Sequence, residues 1–243
     1  MTRQSKGFGA RLQAIYLNPQ IYFNIKGAYE LTSNTEIVVL TSGGPDSSTT
    51  LLRFANEGHT VYPFIIQYEK RLGQIEYKSL KSIINWLRNK FGPLIKDEKK
   101  IELSALWDLH IQNNLNQVTD FIPFRNLIFA SFGAMYGVEN GIYDIALGLV
   151  AEGGYSDCTE HFKDQLEKVL YESVRKKINV HTPFINEEKA DIIKYGKKDD
   201  FPYELTYSCY RGGPIHCGQC NACILRKNAF KLAKITDPTE YEK

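Results

Sequence analysis

Apolar residues along this chain alternate between short solid runs and longer stripes of helical spacing. Residues 36–41 (EIVVLT) form a continuous apolar run, the pattern of a strand buried on both faces of a parallel sheet. Residues 42–46 are turn-like, and residues 47–56 carry a helical pattern that Gly58 ends. A second strand is predicted over 59–67. Residues 71–91 repeat Ile75, Leu80, Ile83, Ile84 and Leu87 at helical intervals before Gly92 and Pro93. The same reading predicts a third strand over 100–104, an apolar helix over 125–136 and a fourth strand over 143–149. A helix over 159–176, a short fifth strand over 179–182 and a helix over 187–195 follow. Residues 202–223 break this rhythm with Gly, Pro and Cys, and a last helix is predicted over 222–233. Such β-α-β alternation implies an α/β fold, an open, parallel, doubly wound sheet covered on both faces. Residues 1–35 have weak periodicity and read as an N-terminal extension. The predicted organisation is therefore an extension (1–35), an α/β domain (36–200) and a cysteine-bearing C-terminal segment (201–243).

Composition narrows the class. The 243 residues are 43% apolar and 24% charged, ordinary values for a globular protein with a sizeable core. No apolar run approaches the roughly 20 residues of a membrane span. Thirty Lys and Arg against 28 Asp and Glu leave a net charge of +2, which predicts neither a nucleic-acid nor a membrane partner. The basic N-terminus lacks an apolar h-region and a small-residue cleavage site, so no secretory signal is read. Four of the five cysteines fall between Cys209 and Cys223. That clustering fits metal ligation in a reducing cytoplasm better than a disulfide scaffold.

The most informative segment is residues 41–47 (TSGGPDS), placed between a predicted strand and a predicted helix. Open α/β sheets bind ligands there, outside the carboxyl ends of their strands. Gly43 and Gly44 let the backbone approach a ligand closely, Ser42, Ser47 and Ser48 add hydroxyl donors, and the helix N-terminus favours an anion. No Lys follows the glycines, so this is not the G-x-x-x-x-G-K-[ST] loop. The competing reading is an ordinary Gly-Gly-Pro turn. Asp46 would repel phosphate if it pointed inward; capping the helix or holding Mg²⁺ are the two roles its position allows.

Cys209, Cys217, Cys220 and Cys223 read C-x7-C-x2-C-x2-C. A C-x2-C pair brings two thiolates to one tetrahedral metal, a third at the same step continues the wrap, and the fourth comes from a nearby loop. Zinc in a closed structural site is the favoured occupant, with an iron–sulfur cluster as the alternative. Cys158 has two readings, a thiol nucleophile or a small buried filler.

The segment SGGPDS after an apolar strand resembles the signature of the PP-loop ATP pyrophosphatases. Together with the four-cysteine site, and with residues 124–126 (FRN), 154–162 (GYSDCTEHF), 181–184 (HTPF), 189–193 (KADII) and 206–210 (TYSCY), the chain resembles the 7-cyano-7-deazaguanine synthases over about residues 36–234. The resemblance implies that ATP activates 7-carboxy-7-deazaguanine as an acyl-adenylate, that ammonia gives the amide, and that a second activation gives the nitrile. It implies Ser42, Gly43, Gly44, Asp46 and Ser47 as the loop for the β,γ-pyrophosphate. Arg125 and Lys189 become the cations around phosphorus, and Asn126 a ligand of a phosphate or ribose oxygen. Asp157 and Glu160 become readers of a purine-like base, and Tyr155 and Phe162 its stacking partners. A homodimer is also implied.

Three departures from the family pattern matter. Residues 67–70 read QYEK where the family carries an Asp-Tyr-Gly-Gln-like stretch. Residues 156–159 read SDCT where it carries Pro-Asp-Cys-Arg. The lead-in of about 35 residues is longer. A lost arginine would weaken capture of a free carboxylate. The second reading is therefore a relative that adenylates a deazaguanine and passes it to a protein amine, with residues 1–35 as a docking element. A tRNA-modifying PP-loop enzyme and a non-catalytic nucleotide-binding zinc module are the remaining alternatives.

Overall fold

The computed structural model describes residues 35–68, 70–104 and 122–242; the segment read as an N-terminal extension lies outside them, Thr35 apart. The described chain contains every strand and helix that the hydropathy pattern predicts. They are β1 (Glu36–Leu40), α1 (Pro45–Asn56), β2 (Thr60–Gln67), α2 (Lys70–Phe91), β3 (Lys99–Glu102) and α3 (Arg125–Glu139). Then follow β4 (Asp144–Leu147), α4 (Glu160–Val174), β5 (Asn179–His181), α5 (Lys189–Lys197) and α6 (Asn221–Ala233). Every strand pair is parallel, and the order across the sheet is β3-β2-β1-β4-β5.

This order explains why β1 and β4 read as solid apolar runs. Both lie inside the sheet with helices on each face, and Ile37, Val38, Val39, Ile145 and Ala146 are almost wholly buried. On one face α3 packs on β1 and β4, and α4 on β5. On the other, α1 and α2 cover β1 and β2, while α5 bridges α1 and α6. Leu80, Ile83, Ile84 and Leu87 of the α2 stripe are buried, as their spacing predicts.

The chain runs outward from β1 through β2 to β3 and returns to start β4 on the other side of β1. The crevice between the carboxyl ends of β1 and β4 is thus the topological switch point of the sheet. β4 ends at Leu147, two residues before the predicted limit, because Gly148 passes directly against α1. A Cβ at Gly148 would lie 2.9 Å from Ser47 Cα. This contact seats the start of α1 at the crevice.

Ile145 is fully buried in β4, an inner strand, where it pairs with Val38 of β1 and Val180 of β5. Ile145→Ala is expected to lower stability by about 2–5 kcal/mol. A shift in the midpoint of urea unfolding measures this; a loss under about 1 kcal/mol would mean that the central packing collapses around the gap.

Candidate active site and metal centre

The phosphate-loop segment is built by its own side chains. Gly44 caps α1, with Pro45 opening the first turn where its missing N–H costs nothing. Ser47 Oγ accepts from Ser42 N–H at 3.1 Å and lies 3.3 Å from Ser42 Oγ. Ser42 Oγ in turn accepts from Gly44 N–H at 3.4 Å. Gly43 takes φ +82°, and a Cβ there would lie 2.5 Å from the Glu76 carbonyl oxygen on α2. Only glycine satisfies both the left-handed backbone and that close approach.

Ser42, Gly44, Asp46 and Ser47 line a cavity of about 340 Å³. Ser48 does not. It is fully buried, and among the described residues its hydroxyl has no hydrogen-bond partner. One residue along a helix turns the side chain by about 100°, which carries Ser48 away from the cavity. The expected phosphate donor is thereby corrected to an interior residue. Gly43 contributes its conformation rather than cavity surface. The helix-capping role considered for Asp46 is also corrected: no side chain caps α1, and the Asp46 carboxylate pairs instead with Lys189 Nζ.

Lys189 opens α5, and its backbone N–H donates to Glu152 Oε2 at 2.8 Å. Burial pulls the Lys189 pKa down, but Asp46 and Glu152 outweigh it, so the net shift is upward and the amine stays charged. Arg125 opens α3. Burial disfavours its charge, and the neighbouring Tyr68, Tyr210 and Asp157 reverse the balance. The residue before it, Phe124, holds φ +62° with its side chain 71% exposed. A bulky residue in that region costs about 1–2 kcal/mol, strain stored where the chain turns Arg125 into the cavity. Asn126 lines the cavity and ties α3 to the next loop, its Nδ2 donating to the Asp157 carbonyl at 3.4 Å.

The segment expected to read the base is only half in place. Tyr155 and Cys158 line the cavity. Asp157 lies beside Arg125 without lining the cavity. Glu160 and Phe162 are corrections. Thr159 caps α4, accepting from Phe162 N–H at 3.1 Å, so the helix begins at once. Glu160 then points to solvent and accepts from Asn186 at 3.2 Å, while Phe162 packs against the core. Burial pushes the Cys158 thiol up, as does Asp157, which accords with the filler reading and not with an activated nucleophile.

Several cavity residues carried no role in the sequence reading: Phe129 from α3, Glu76 from α2, Tyr207, Ser208 and Tyr210 from the cysteine segment, and Arg226 from α6. A signal existed. Ala222, Leu225, Arg226 and Ala229 stand at i, i+3, i+4 and i+7, one face of a helix, and all four line the cavity. A larger depression of about 610 Å³ lies between α2, residues 204–216 and the tail at 238–240. The phosphate loop and both cations border the smaller cavity, which is why it is the candidate site.

The sulfur atoms of Cys209, Cys217, Cys220 and Cys223 all lie within 4.8 Å of one another, the only such group among the described residues. Cys217 and Cys223 are 4.0 Å apart, as are Cys209 and Cys220. Tetrahedral Zn–S bonds of about 2.3 Å require S···S edges of about 3.8 Å, so the donor set fits a four-coordinate metal. Gln219 N–H and Cys220 N–H point at Cys217 Sγ, at 3.5 and 3.3 Å. Burial raises the Cys217 pKa, but these donors outweigh it and bring the thiol to about 6.

The cysteine segment is bound to the phosphate loop. Tyr207 N–H donates to the Gly43 carbonyl at 3.0 Å. Gly43→Ala is therefore expected to cost about 2–4 kcal/mol through backbone strain and displacement of Glu76, with a matching fall in thermal midpoint. An unchanged midpoint would mean that the loop tolerates a different path. Cys220→Ser is expected to lose bound metal, measured by atomic emission, together with folded protein; a stable, metal-loaded variant would overturn the four-thiolate site.

Residues 36–234 match the family model described as Queuosine biosynthesis protein QueC. The 7-cyano-7-deazaguanine synthase of Nautilia profundicola is 34% identical over 216 residues, covering 84% of this chain and 97% of that one. Its counterpart in Acetivibrio thermocellus is 35% identical, covering 84% and 96%. That of Thermoplasma acidophilum is also 35% identical, covering 85% and 92%. With the matched span running from the first residue of β1 to just beyond α6, the chain belongs to the QueC family of queuosine biosynthesis enzymes.

Proposed function

We propose that this chain converts 7-carboxy-7-deazaguanine to 7-cyano-7-deazaguanine, using ATP and ammonia. The observation that carries this reading is the cavity at the switch point, where a preformed phosphate loop faces two charged side chains, Lys189 and Arg125. The loop N–H groups, with the Ser42 and Ser47 hydroxyls, bind the β,γ-phosphates. Asp46, the cavity carboxylate at the start of α1, is suited to Mg²⁺, which would neutralise phosphate charge when bound. A carboxylate oxygen of the substrate attacks the α-phosphorus and pyrophosphate leaves. Arg125 and Lys189 stabilise the charge that grows on the phosphorus oxygens. Ammonia then attacks the acyl carbon, AMP leaves with the carboxylate oxygen, and a proton is released. The amide oxygen attacks a second ATP, pyrophosphate leaves again, and loss of AMP with two N–H protons completes the nitrile.

The four cysteines hold a zinc ion that is structural. Its thiolates form a closed set, and it fastens the wall of the cavity rather than taking part in the reaction. The α/β part (36–200) and the cysteine segment (201–243) act as one catalytic body, with the deazaguanine as its small-molecule substrate. The setting is a reducing cytoplasm, where thiolates stay available to metal.

Mass spectrometry of a reaction holding ATP, Mg²⁺, 7-carboxy-7-deazaguanine and ammonium tests this reading. Nitrile and AMP in a ratio of one to two are expected. AMP with the adenylate or amide alone would overturn nitrile formation and point to another acceptor, such as a protein amine. Asp46→Ala is expected to lower AMP release by at least 10²-fold while metal content and secondary structure are kept. Turnover at the wild-type rate would remove Asp46 from the mechanism.

A further inference from the structure

Arg226 is an arginine buried beside the cavity, with 3% of its surface exposed. It opens three sides of its guanidinium to different parts of the C-terminal segment. Nη2 donates to the Tyr203 carbonyl at 2.8 Å. Nη1 donates to Thr206 Oγ1 at 2.7 Å and to Ser208 Oγ at 3.2 Å. Nε faces Asp237 Oδ1 at 3.4 Å, and the plane lies over Phe230 at 5.2 Å. A cation so enclosed has little left to offer a ligand, which makes Arg226 a positioning residue.

What it positions is Ser208. The Ser208 backbone is held from the other side, its N–H donating to His216 Nε2 at 3.1 Å. The guanidinium N–H takes one lone pair of the Ser208 oxygen, and among the described residues the hydroxyl proton finds no acceptor, so it is available to donate. Ser208 lines the cavity. Around it in the lining stand Tyr207 and Tyr210 and the apolar face of α6 made by Ala222, Leu225 and Ala229. The Tyr207 ring is fixed, its hydroxyl donating to the Gly213 carbonyl at 2.9 Å. Broad apolar walls with one oriented donor suit a flat heteroaromatic ring that offers a nitrogen or oxygen acceptor.

We infer that the wall made by the cysteine segment and α6 is a subsite for a purine-type ring, with the Ser208 hydroxyl donating to a ring acceptor and Arg226 holding that hydroxyl in place. The inference rests on the proposed function for its ligands, since both adenine of ATP and the deazaguanine present such a ring. With the deazaguanine as occupant, it supplies the base contact that Glu160 and Phe162 do not make.

Titration calorimetry on the metal-loaded full chain tests it, with α,β-methylene-ATP and 7-carboxy-7-deazaguanine as separate probes. Ser208→Ala is expected to weaken one of them by about fivefold to twentyfold, with metal content and thermal midpoint unchanged. Weakening of the ATP analogue would assign the subsite to adenine, and weakening of the deazaguanine would assign it to that base. Arg226→Lys is expected to weaken the same probe and to add little to Ser208→Ala in the double variant. Two probes that bind Ser208→Ala as tightly as wild type would overturn the subsite. Should Arg226→Lys fail to fold, Ser208→Ala decides alone. Binding needs no turnover, so a wild-type chain that binds but forms no nitrile would sink the proposed reaction and leave this inference standing.

Discussion

The hydrogen bond from Tyr207 N–H to the Gly43 carbonyl joins the two parts of the molecule that the site requires. On one side it ends in the loop between β1 and α1. On the other it continues within two residues to Cys209 and the sulfur cluster. A short loop carrying two glycines has high conformational entropy on its own, and the cysteine segment restrains it from outside. Gly43 is pressed at the same time against the Glu76 carbonyl on α2. The loop is thus clamped between α2 and the cysteine segment, which lowers the conformational cost of ordering it for a ligand.

The charges follow from this clamp. Lys189 brings a cation to the first turn of a helix, where the dipole disfavours it. Asp46 and Glu152 offset that cost, one through the side chain and one through the backbone N–H. Arg125 is set by the left-handed turn at Phe124 and retained by Tyr68, Tyr210 and Asp157. Each cation therefore survives partial burial because a specific partner outweighs desolvation. In a cavity partly shielded from water, a charge pair is felt more strongly than at an open surface.

Much of this was legible in the sequence. The strands and helices, the loop at 42–47 and the four cysteines are each written in a contiguous stretch, where spacing reports directly on geometry. Legibility failed where a single turn of helix decides which way a residue points. Ser48 sits beside Ser47 in sequence yet faces the interior. Glu160 and Phe162 belong to a motif adjoining the cavity, but in the first turn of α4 Glu160 meets Asn186 and Phe162 packs on the core. The α6 stripe at 222, 225, 226 and 229 was readable as a face, and nothing local said that the face would border the cavity.

Local sequence determined the fold class, the strand-to-helix place of the loop at 42–47 and the four cysteines that cluster, because hydrophobic period, glycine placement and C-x2-C spacing act over a few neighbouring residues. Only the tertiary structure decided which distant groups meet. Asp46 finds Lys189 across 143 positions, Arg226 reaches back to Thr206 and Ser208, and Tyr207 closes on Gly43. Those contacts depend on how α5, α6 and the cysteine segment pack against α1 and α2, and such packing is set by the summed complementarity of many side chains rather than by any one stretch of the chain.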